Sequence, residues 1–328
     1  MAGAPVASTP GDAIDPIRAL FLIDHGPGPA RVLWAWCERG HTIAEIWTGG
    51  RASRRGAWRR DRRLGWFAPR RSISAAIRRW HIRHRQVETL RAHAELADLI
   101  VSLNVDVVIS VHFMRILPAG LLSRLSVPVL NLHPSLLPGY RGPNPQLSMI
   151  VDEAHARFSG VTLHQIVPAL DAGAIFASRS VPLPSDGSLR RWELNLARAA
   201  ADLAVEVIPE IVAGRTAGVE QVAVAESDRR ATLDDLKLTP LQTAKKIEWL
   251  CSTIGRVRFL QFALAGRDYA VTGISRHLGP PTGEPPRIGW WTIETDIADA
   301  RVRLRRTPIW AGRRQRIETW LLRVLLRA

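Results

Sequence analysis

The sequence predicts an α/β protein in two parts, and three features carry this prediction. Strand-like apolar runs alternate with helical patterns from Ala19 onward, as in a doubly wound parallel sheet. The Gly-containing segment 213–218 then interrupts the pattern, and short strand-like runs dominate after it. The 328 residues, 46% of them hydrophobic, suffice for two buried cores. We therefore expect a Rossmann-like domain at 15–213 and a smaller, mainly β domain at 219–328.

The first elements form half of a doubly wound unit. We predict a strand at 19–23, a helix at 30–39 and a second strand at 42–47. The turn between the first strand and the helix contains Gly26 and Gly28. Backbone amides at such a turn could approach a phosphate, although a plain tight turn is the alternative interpretation.

Later elements follow from the same periodicities. Before the boundary, the sequence predicts strands at 106–110, 127–131 and 159–167 and helices at 118–125, 144–153 and 189–212. After it, the sequence predicts a helix at 240–250, strands at 260–264, 269–274, 289–293 and 301–304, and an amphipathic helix at 313–326. The last helix either docks on the protein or contacts a membrane or partner.

Composition limits the compartment and the kind of site. Cys37 and Cys251 lie far apart in the sequence, so neither a zinc site nor a disulfide framework is indicated. The sequence contains no apolar run of about 18 residues, and its first eighteen residues have no apolar core. We expect no signal peptide, no transmembrane segment and a reducing, cytoplasmic location.

Positive charge is concentrated in an Arg-rich insert at 51–85. It contains thirteen arginines and one acid, Asp61, an excess of twelve charges out of the net +15 of the chain. Aromatic residues are interleaved with these charges at Trp58, Trp66, Phe67 and Trp80. The composition is compatible with binding RNA, an anionic membrane surface or a nucleotide diphosphate, and equally with a solvated surface.

Three side chains suited to acyl transfer follow the middle strands. Asn131 and His133 share one side of a strand end, because strand side chains alternate between faces. Asp171 follows the predicted strand at 159–167, in a Gly-containing loop from which a carboxylate could approach the imidazole. Together they offer a hydrogen-bond donor for an oxyanion, a general acid or base, and a group to tune it.

These residues belong to a string of short motifs between Asn131 and Ile175. In order, the string reads Asn131-Leu-His133, Ser135-Leu-Leu-Pro138, Tyr140-Arg-Gly142, Gly160-Val-Thr-Leu-His164 and Asp171-Ala-Gly173. It resembles the folate-dependent formyltransferase family, which includes glycinamide ribonucleotide transformylase, methionyl-tRNA formyltransferase and the enzymes that formylate nucleotide-linked amino sugars. Upstream, the segment 113–117 is similar to the pteridine-binding stretch of that family.

The resemblance implies roles for particular residues. Asn131, His133 and Asp171 would form the catalytic triad, with 10-formyltetrahydrofolate as co-substrate and no metal. The expected cofactor-binding residues are Met114, Arg115, Ile116, Leu117, Val167 and Leu170. The expected substrate-binding residues are Ser135, Tyr140, Arg141 and Gly26. We interpret His164 as a structural histidine at a strand end rather than as a catalytic residue.

The resemblance implies transfer of a formyl group to the primary amine of a small-molecule acceptor, and the motif string favours an amino sugar linked to a nucleotide. Methionyl-tRNA is the alternative, since the Arg-rich insert could bind tRNA; glycinamide ribonucleotide comes third. A hypothesis of another class is a non-catalytic module that binds RNA or a membrane through the insert and the terminal helix. The sequence leaves peripheral membrane contact and the oligomeric state open.

Overall fold

The structure is a computed structural model that describes residues 15–24, 26–49, 55–232, 234–254 and 260–306. Two compact units make up the chain. The first consists of Met1–Leu132 and Ala201–Val219, and the second of His133–Ala200 and Glu220–Ala328. The helix expected at 313–326 lies outside the described residues. The domain division expected at 213–219 stays a prediction.

The first unit contains a parallel sheet with the strand order β3-β2-β1-β4-β5. Its strands are β1 (Arg18–Ile23), β2 (Thr42–Gly49), β3 (Arg83–Val87), β4 (Val107–Val111) and β5 (Val129–His133), whose last residue belongs to the second unit. Its helices are α1 (Pro27–Glu38), α2 (Arg55–Phe67), α3 (Ile73–Trp80), α4 (His93–Ser102) and α5 (Ala119–Leu122). The central strands β1 and β4 are almost wholly buried, as expected for a parallel sheet covered on both faces.

The second unit contains the antiparallel pair β6 (Gly160–Gln165) and β7 (Ile175–Ser180) and a separate, mainly antiparallel sheet. That sheet has the order β11-β12-β13-β10-β9-β8. Its strands are β8 (Lys237–Leu238), β9 (Leu260–Leu264), β10 (Arg267–Gly279), β11 (Arg287–Ile288), β12 (Thr292–Asp296) and β13 (Arg301–Arg306). The helices that follow α5 in the sequence are α6 (Pro145–Val151), α7 (His155–Phe158), α8 (Leu189–Val212) and α9 (Ala244–Thr253), and α8 belongs to the first unit from Ala201 onward.

The predicted fold class is confirmed: a Rossmann-like parallel sheet with helices, and a separate, mainly β sheet. Several predicted bounds are wrong, and two of them have a clear physical cause. The strand expected at 289–293 begins only at Thr292, because the Gly289 N–H donates to the Thr292 carbonyl and closes a turn between β11 and β12. The helix expected from 240 begins at Ala244, because the Thr243 side chain caps it by accepting from the Lys246 N–H. None of the helices in the described ranges is long and apolar enough to span a bilayer.

Trp192 anchors α8 in the second unit. Its side chain is fully buried, and its Nε1 donates to the Ser159 hydroxyl at 2.7 Å and to the Val181 carbonyl at 3.2 Å. Trp192→Phe keeps an aromatic ring but removes this donor, so we expect the free energy of unfolding to fall by about 1–3 kcal/mol. Urea unfolding measures the loss. Trp290→Phe is the control, because Trp290 is 80% exposed; equal losses in both variants would contradict this account.

Candidate active site

His133 lies at the end of β5 and is 4% exposed. Its Nε2 is 2.9 Å from the Tyr140 carbonyl oxygen, and its Nδ1 is 3.4 Å from Oδ2 of Asp171. Both neighbouring groups are acceptors, so a ring protonated on both nitrogens suits both contacts. The imidazole is therefore held by a backbone carbonyl on one side and a carboxylate on the other.

Asp171 lies in the loop between β6 and β7, with only 13% of its side chain exposed. Its backbone adopts a left-handed φ of 49°, which a short polar side chain tolerates better than most. Oδ2 accepts a hydrogen bond from the Gly142 N–H at 2.8 Å, and Oδ1 lies 3.6 Å from Nε2 of His164. The carboxylate is thus fixed between two imidazoles.

His164 is the second-last residue of β6, next to the strand end at which a structural histidine is expected. It is 1% exposed, and its ring centroid is 6.2 Å from that of His133. Burial, together with the nearby His133, lowers the pKa of His164 to about 4, against the opposing effect of Asp171. His164 is therefore neutral near pH 7.

This buried histidine makes a testable contribution to stability. Its pKa is about 4 in the folded protein and 6.5 in a model peptide, so below pH 6.5 the unfolded chain binds a proton that the folded chain rejects. The free energy of unfolding should fall as the pH falls from 6.5 to 4, by about 3 kcal/mol through this residue. Urea unfolding at several pH values should show a shallower pH dependence for His164→Asn than for the unmodified protein.

His277→Asn is the matched control, because the His277 side chain is half exposed. This variant should keep the pH dependence of the unmodified protein between pH 6.5 and 4. The same slope in His164→Asn as in the unmodified protein would show that His164 is not held neutral by the fold.

Of the expected substrate-binding residues, two have their hydroxyl groups engaged within the protein. The Ser135 hydroxyl donates to the Gly139 carbonyl at 2.8 Å, and the Tyr140 hydroxyl donates to Asp152 at 3.2 Å. Burial, with the Asp152 charge, raises the pKa of Tyr140, so this hydroxyl keeps its proton. Both residues shape the loop that presents the Tyr140 carbonyl to His133.

Sequence analysis missed Gln221, which fastens the Asp171 loop. Its Nε2 donates to the carbonyls of Asp171 at 2.9 Å and Gly173 at 2.7 Å, and its Oε1 accepts from Nη2 of Arg141 at 2.8 Å. A single amide side chain thus ties the loop to Arg141, a predicted substrate-binding residue. A lone Gln in an irregular segment gives no sequence signal for such a role.

Gly173 explains why the Asp171 motif ends in glycine. A Cβ at this position would collide with the backbone carbonyl of Gln165, at the end of β6. The loop therefore turns back against the strand only if residue 173 lacks a side chain. This close approach places the Asp171 carboxylate between His133 and His164.

Four of the expected cofactor-binding residues follow β4 in the first unit. The Met114 N–H donates to Asp24 at 3.0 Å, and Nη1 of Arg115 donates to the Glu88 carbonyl at 2.7 Å. Ile116 is 63% exposed, whereas Leu117 is buried in the core. The loop thus exposes Ile116 and part of Met114 to solvent, while the buried Leu117 side chain anchors it in the core.

The other expected binding residues are spread over both units. Val167 and Leu170 are half-buried in the loop between β6 and β7 of the second unit. The expected catalytic residue Asn131, half-buried on β5, and the expected substrate-binding residue Gly26, which precedes α1, lie in the first unit. Two of the first three residues of α1 are prolines, which have no N–H, so the Gly26 turn offers few donors to an anion. Among the described residues, no group of three or more His, Cys, Asp or Glu is arranged to hold a metal ion.

The part of the chain that contains His133, His164 and Asp171 matches a known protein family. Residues 64–208 match the family model described as formyl transferase. This part of the chain, less than half of its length, is similar to that family. The resemblance inferred from the motif string is thereby confirmed for these residues.

Sequence relatives of this chain include methionyl-tRNA formyltransferases. The protein from Listeria innocua is 33% identical over 136 residues, which cover 42% of this chain and 43% of the relative. The protein from Lysinibacillus sphaericus is 38% identical over 127 residues, 39% of this chain and 40% of the relative. The match thus spans less than half the length of these curated relatives.

Solved structures share the fold over a longer stretch. An N-formyltransferase from Helicobacter canadensis, in complex with folinic acid and dTDP-3-aminofucose, has a TM-score of 0.60 at 16% identity, covering 89% of this chain and 99% of that one. HypX from Aquifex aeolicus has a TM-score of 0.57 at 16% identity, covering 88% of this chain and 44% of that one. At such low identity, these likenesses establish the fold.

Proposed function

We propose that this protein transfers a formyl group from 10-formyltetrahydrofolate to the primary amine of a nucleotide-linked amino sugar. The observation that carries the proposal is the Asp171 carboxylate, 3.4 Å from the His133 ring, within the residues that match the formyl transferase family. A buried acid–imidazole pair of this kind can supply and accept protons during acyl transfer.

The proposed chemistry assigns one task to each polar group. The Asn131 amide and the His133 imidazolium donate hydrogen bonds to the carbonyl oxygen as it becomes negative. Losing one such donor typically costs about 3 kcal/mol of transition-state stabilisation. Asp171 holds His133 in its charged form and accepts the proton that the attacking amine releases, directly or through one water. N10 of the folate is protonated as its bond to the formyl carbon breaks, so tetrahydrofolate leaves as the neutral amine. Neutral His164 packs beside Asp171 and shields the pair from bulk solvent.

The proposed cofactor site suits a flat, partly apolar heterocycle. Ile116 and Met114 expose apolar surface on the loop after β4, and Val167 and Leu170 are half-buried in their own loop. Backbone groups of such loops can match the donors and acceptors of a pteridine. We propose that Arg115 and Leu117 belong to the same site, because they hold the loop after β4 in place. We propose that Arg141 contacts an anionic part of the acceptor. Ser135, Tyr140 and Gly26 stay proposed substrate-binding residues.

Two kinds of comparison favour different acceptors. The amino sugar is favoured by the motif string and by the Helicobacter canadensis enzyme, which has the same fold along 89% of this chain and binds dTDP-3-aminofucose. Methionyl-tRNA is favoured by the sequence relatives, but their similarity covers 43% or less of their length. We therefore rank methionyl-tRNA second.

Parallel assays with the two classes of acceptor test this ranking of acceptors. The protein is incubated with 10-formyltetrahydrofolate and, in parallel, with a pool of nucleotide-linked amino sugars or with methionyl-tRNA, and formylated products are detected by mass. We expect a formylated sugar nucleotide. Formylation of methionyl-tRNA alone would replace the first proposal by the second. Cofactor binding without either product would retain the reaction and reject both acceptors.

We also propose a cytoplasmic location. Cys37 and Cys251 are both free thiols, one half-buried and one buried. Burial raises the pKa of each thiol to about 12, so neither forms the reactive thiolate readily. Free, unreactive thiols fit a reducing compartment.

A further inference from the structure

The outer side of α2 presents a charged face that takes no part in the proposed reaction. Arg59, Arg62, Arg63 and Trp66 recur at the three- and four-residue spacing that places side chains on one side of a helix. All four are exposed, and together they line an open recess of about 510 Å³. We call Arg59, Arg62 and Arg63 the arginine face.

The opposite side of α2 is fixed to the first unit, which defines the orientation of the arginine face. The buried Asp61 carboxylate accepts from the Ser72 hydroxyl and from the N–H groups of Ile73 and Ser74, at 2.8 to 3.0 Å. A Cβ on Gly65 would approach the Ser72 hydroxyl to 2.9 Å, so α2 and the start of α3 pack closely. The single acid of α2 thus caps the neighbouring helix and does not neutralise the arginines.

The arginine face therefore keeps its positive charge. In the part of the chain that the structure describes, none of its three arginines forms an ion pair, whereas the nearby Arg70 and Arg85 pair with glutamates at 2.9 and 3.1 Å. The first turn of α2 contains no acid. The arginine face is therefore suited to an anionic partner.

An aromatic pair, Trp66 and Phe67, ends the same helix. The two residues are 84% and 91% exposed. Guanidinium groups bind phosphates in a forked geometry, and exposed rings gain from contact with an apolar medium. The partner must therefore present phosphates beside apolar material.

We propose that the arginine face and the aromatic pair dock this protein on an anionic lipid surface. The arginines would contact phosphate headgroups, and the rings would enter the boundary between headgroups and acyl chains. A single-stranded nucleic acid also offers phosphates and stacking surfaces, but such partners are bound in basic grooves. Here the rings project from the outer side of one helix, and the four residues around the recess all belong to that helix.

Vesicle flotation tests the proposal. The full chain is mixed with vesicles of phosphatidylcholine alone or with added phosphatidylglycerol, and the bound fraction is measured. We expect binding only to the anionic vesicles, with weakening as salt is added. Since each arginine near such a surface contributes about a fivefold factor in affinity, replacing all three, R59Q/R62Q/R63Q, should weaken binding on the order of 100-fold. W66A/F67A should also weaken binding while keeping its salt dependence.

Matched controls distinguish binding through this surface from binding through any exposed arginine or aromatic residue. R78Q/R79Q removes two exposed arginines of α3, and W290A/W291A removes two exposed aromatic residues of the second unit. Both should bind anionic vesicles like the unmodified protein, and circular dichroism should show that every variant is folded. Failure of the unmodified protein to float, or equal losses in the controls, would overturn the proposal. Binding of a single-stranded RNA that depends on the same five residues, without flotation, would assign the surface to nucleic acid instead.

Discussion

Replacing Asp171 by Asn is expected to lower kcat for formyl transfer by about 10² to 10⁴, the usual contribution of a positioned acid or base. The Asn side chain has nearly the same shape and can still accept from the Gly142 N–H, which donates to Asp171 at 2.8 Å. It removes the negative charge that faces His133 and the group that would collect the proton of the amine. The effect should therefore appear in kcat, while the KM for the folate changes little.

Asp186→Asn is the control for this substitution. Asp186 is an exposed acid of the second unit that pairs with Arg191 at 2.9 Å, so its loss should leave kcat unchanged. Circular dichroism and thermal unfolding should show that both variants are folded. If Asp171→Asn retained the full rate, the assignment of the proton acceptor would be wrong.

Replacing Gln221 by Leu is expected to lower kcat by about 10- to 100-fold through misplacement of Asp171, since small errors in position are costly in catalysis. Leu has a similar volume but cannot donate to the Asp171 and Gly173 carbonyls or accept from Arg141. Gln221 would be a positioning residue, because it acts through the loop and through Arg141.

A second variant separates these contacts. Gln221→Glu can still accept from Arg141 but has no N–H for the two carbonyls, so it should resemble Gln221→Leu if the loop contacts matter most. Both variants should also alter the pH profile of kcat, because they loosen the carboxylate beside His133. Val222→Ala, at a neighbouring side chain that is 82% exposed, is the control. A pH profile and kcat unchanged in Gln221→Leu would exclude the positioning role.

The sequence predicted most accurately the elements with strong apolar periodicity. The helix expected at 189–212 and the strand expected at 260–264 have those bounds in α8 and β9. Their buried faces repeat at 3.6 or two residues, so the period and the ends are both visible. The sequence did not predict the helices α2 and α3. Hydrogen bonds of Asp61 with Ser72 and Ser74 stabilise them, and the many arginines around these residues give no periodic apolar pattern.

The sequence predicted only those residues of the candidate site that belong to recognisable motifs. The N-x-H and D-x-G motifs pointed to His133 and Asp171, whose side chains lie 3.4 Å apart. The position of His164 beside Asp171 depends on how the loop after β6 turns back, which alternation along one strand cannot reveal. The sequence did not predict the role of Gln221 either, because its contacts with residues 141, 171 and 173 depend on tertiary structure alone.

Single-turnover formyl transfer tests the central claim most directly. The protein, in excess, is mixed with isotopically labelled 10-formyltetrahydrofolate and the pool of nucleotide-linked amino sugars, and labelled product is followed by mass for the unmodified protein and for Asp171→Asn. The account predicts rapid appearance of a formylated amine with the unmodified protein and a rate lower by about 10² or more with the variant. Equal rates with both proteins, or no binding of the folate to the unmodified protein, would contradict it.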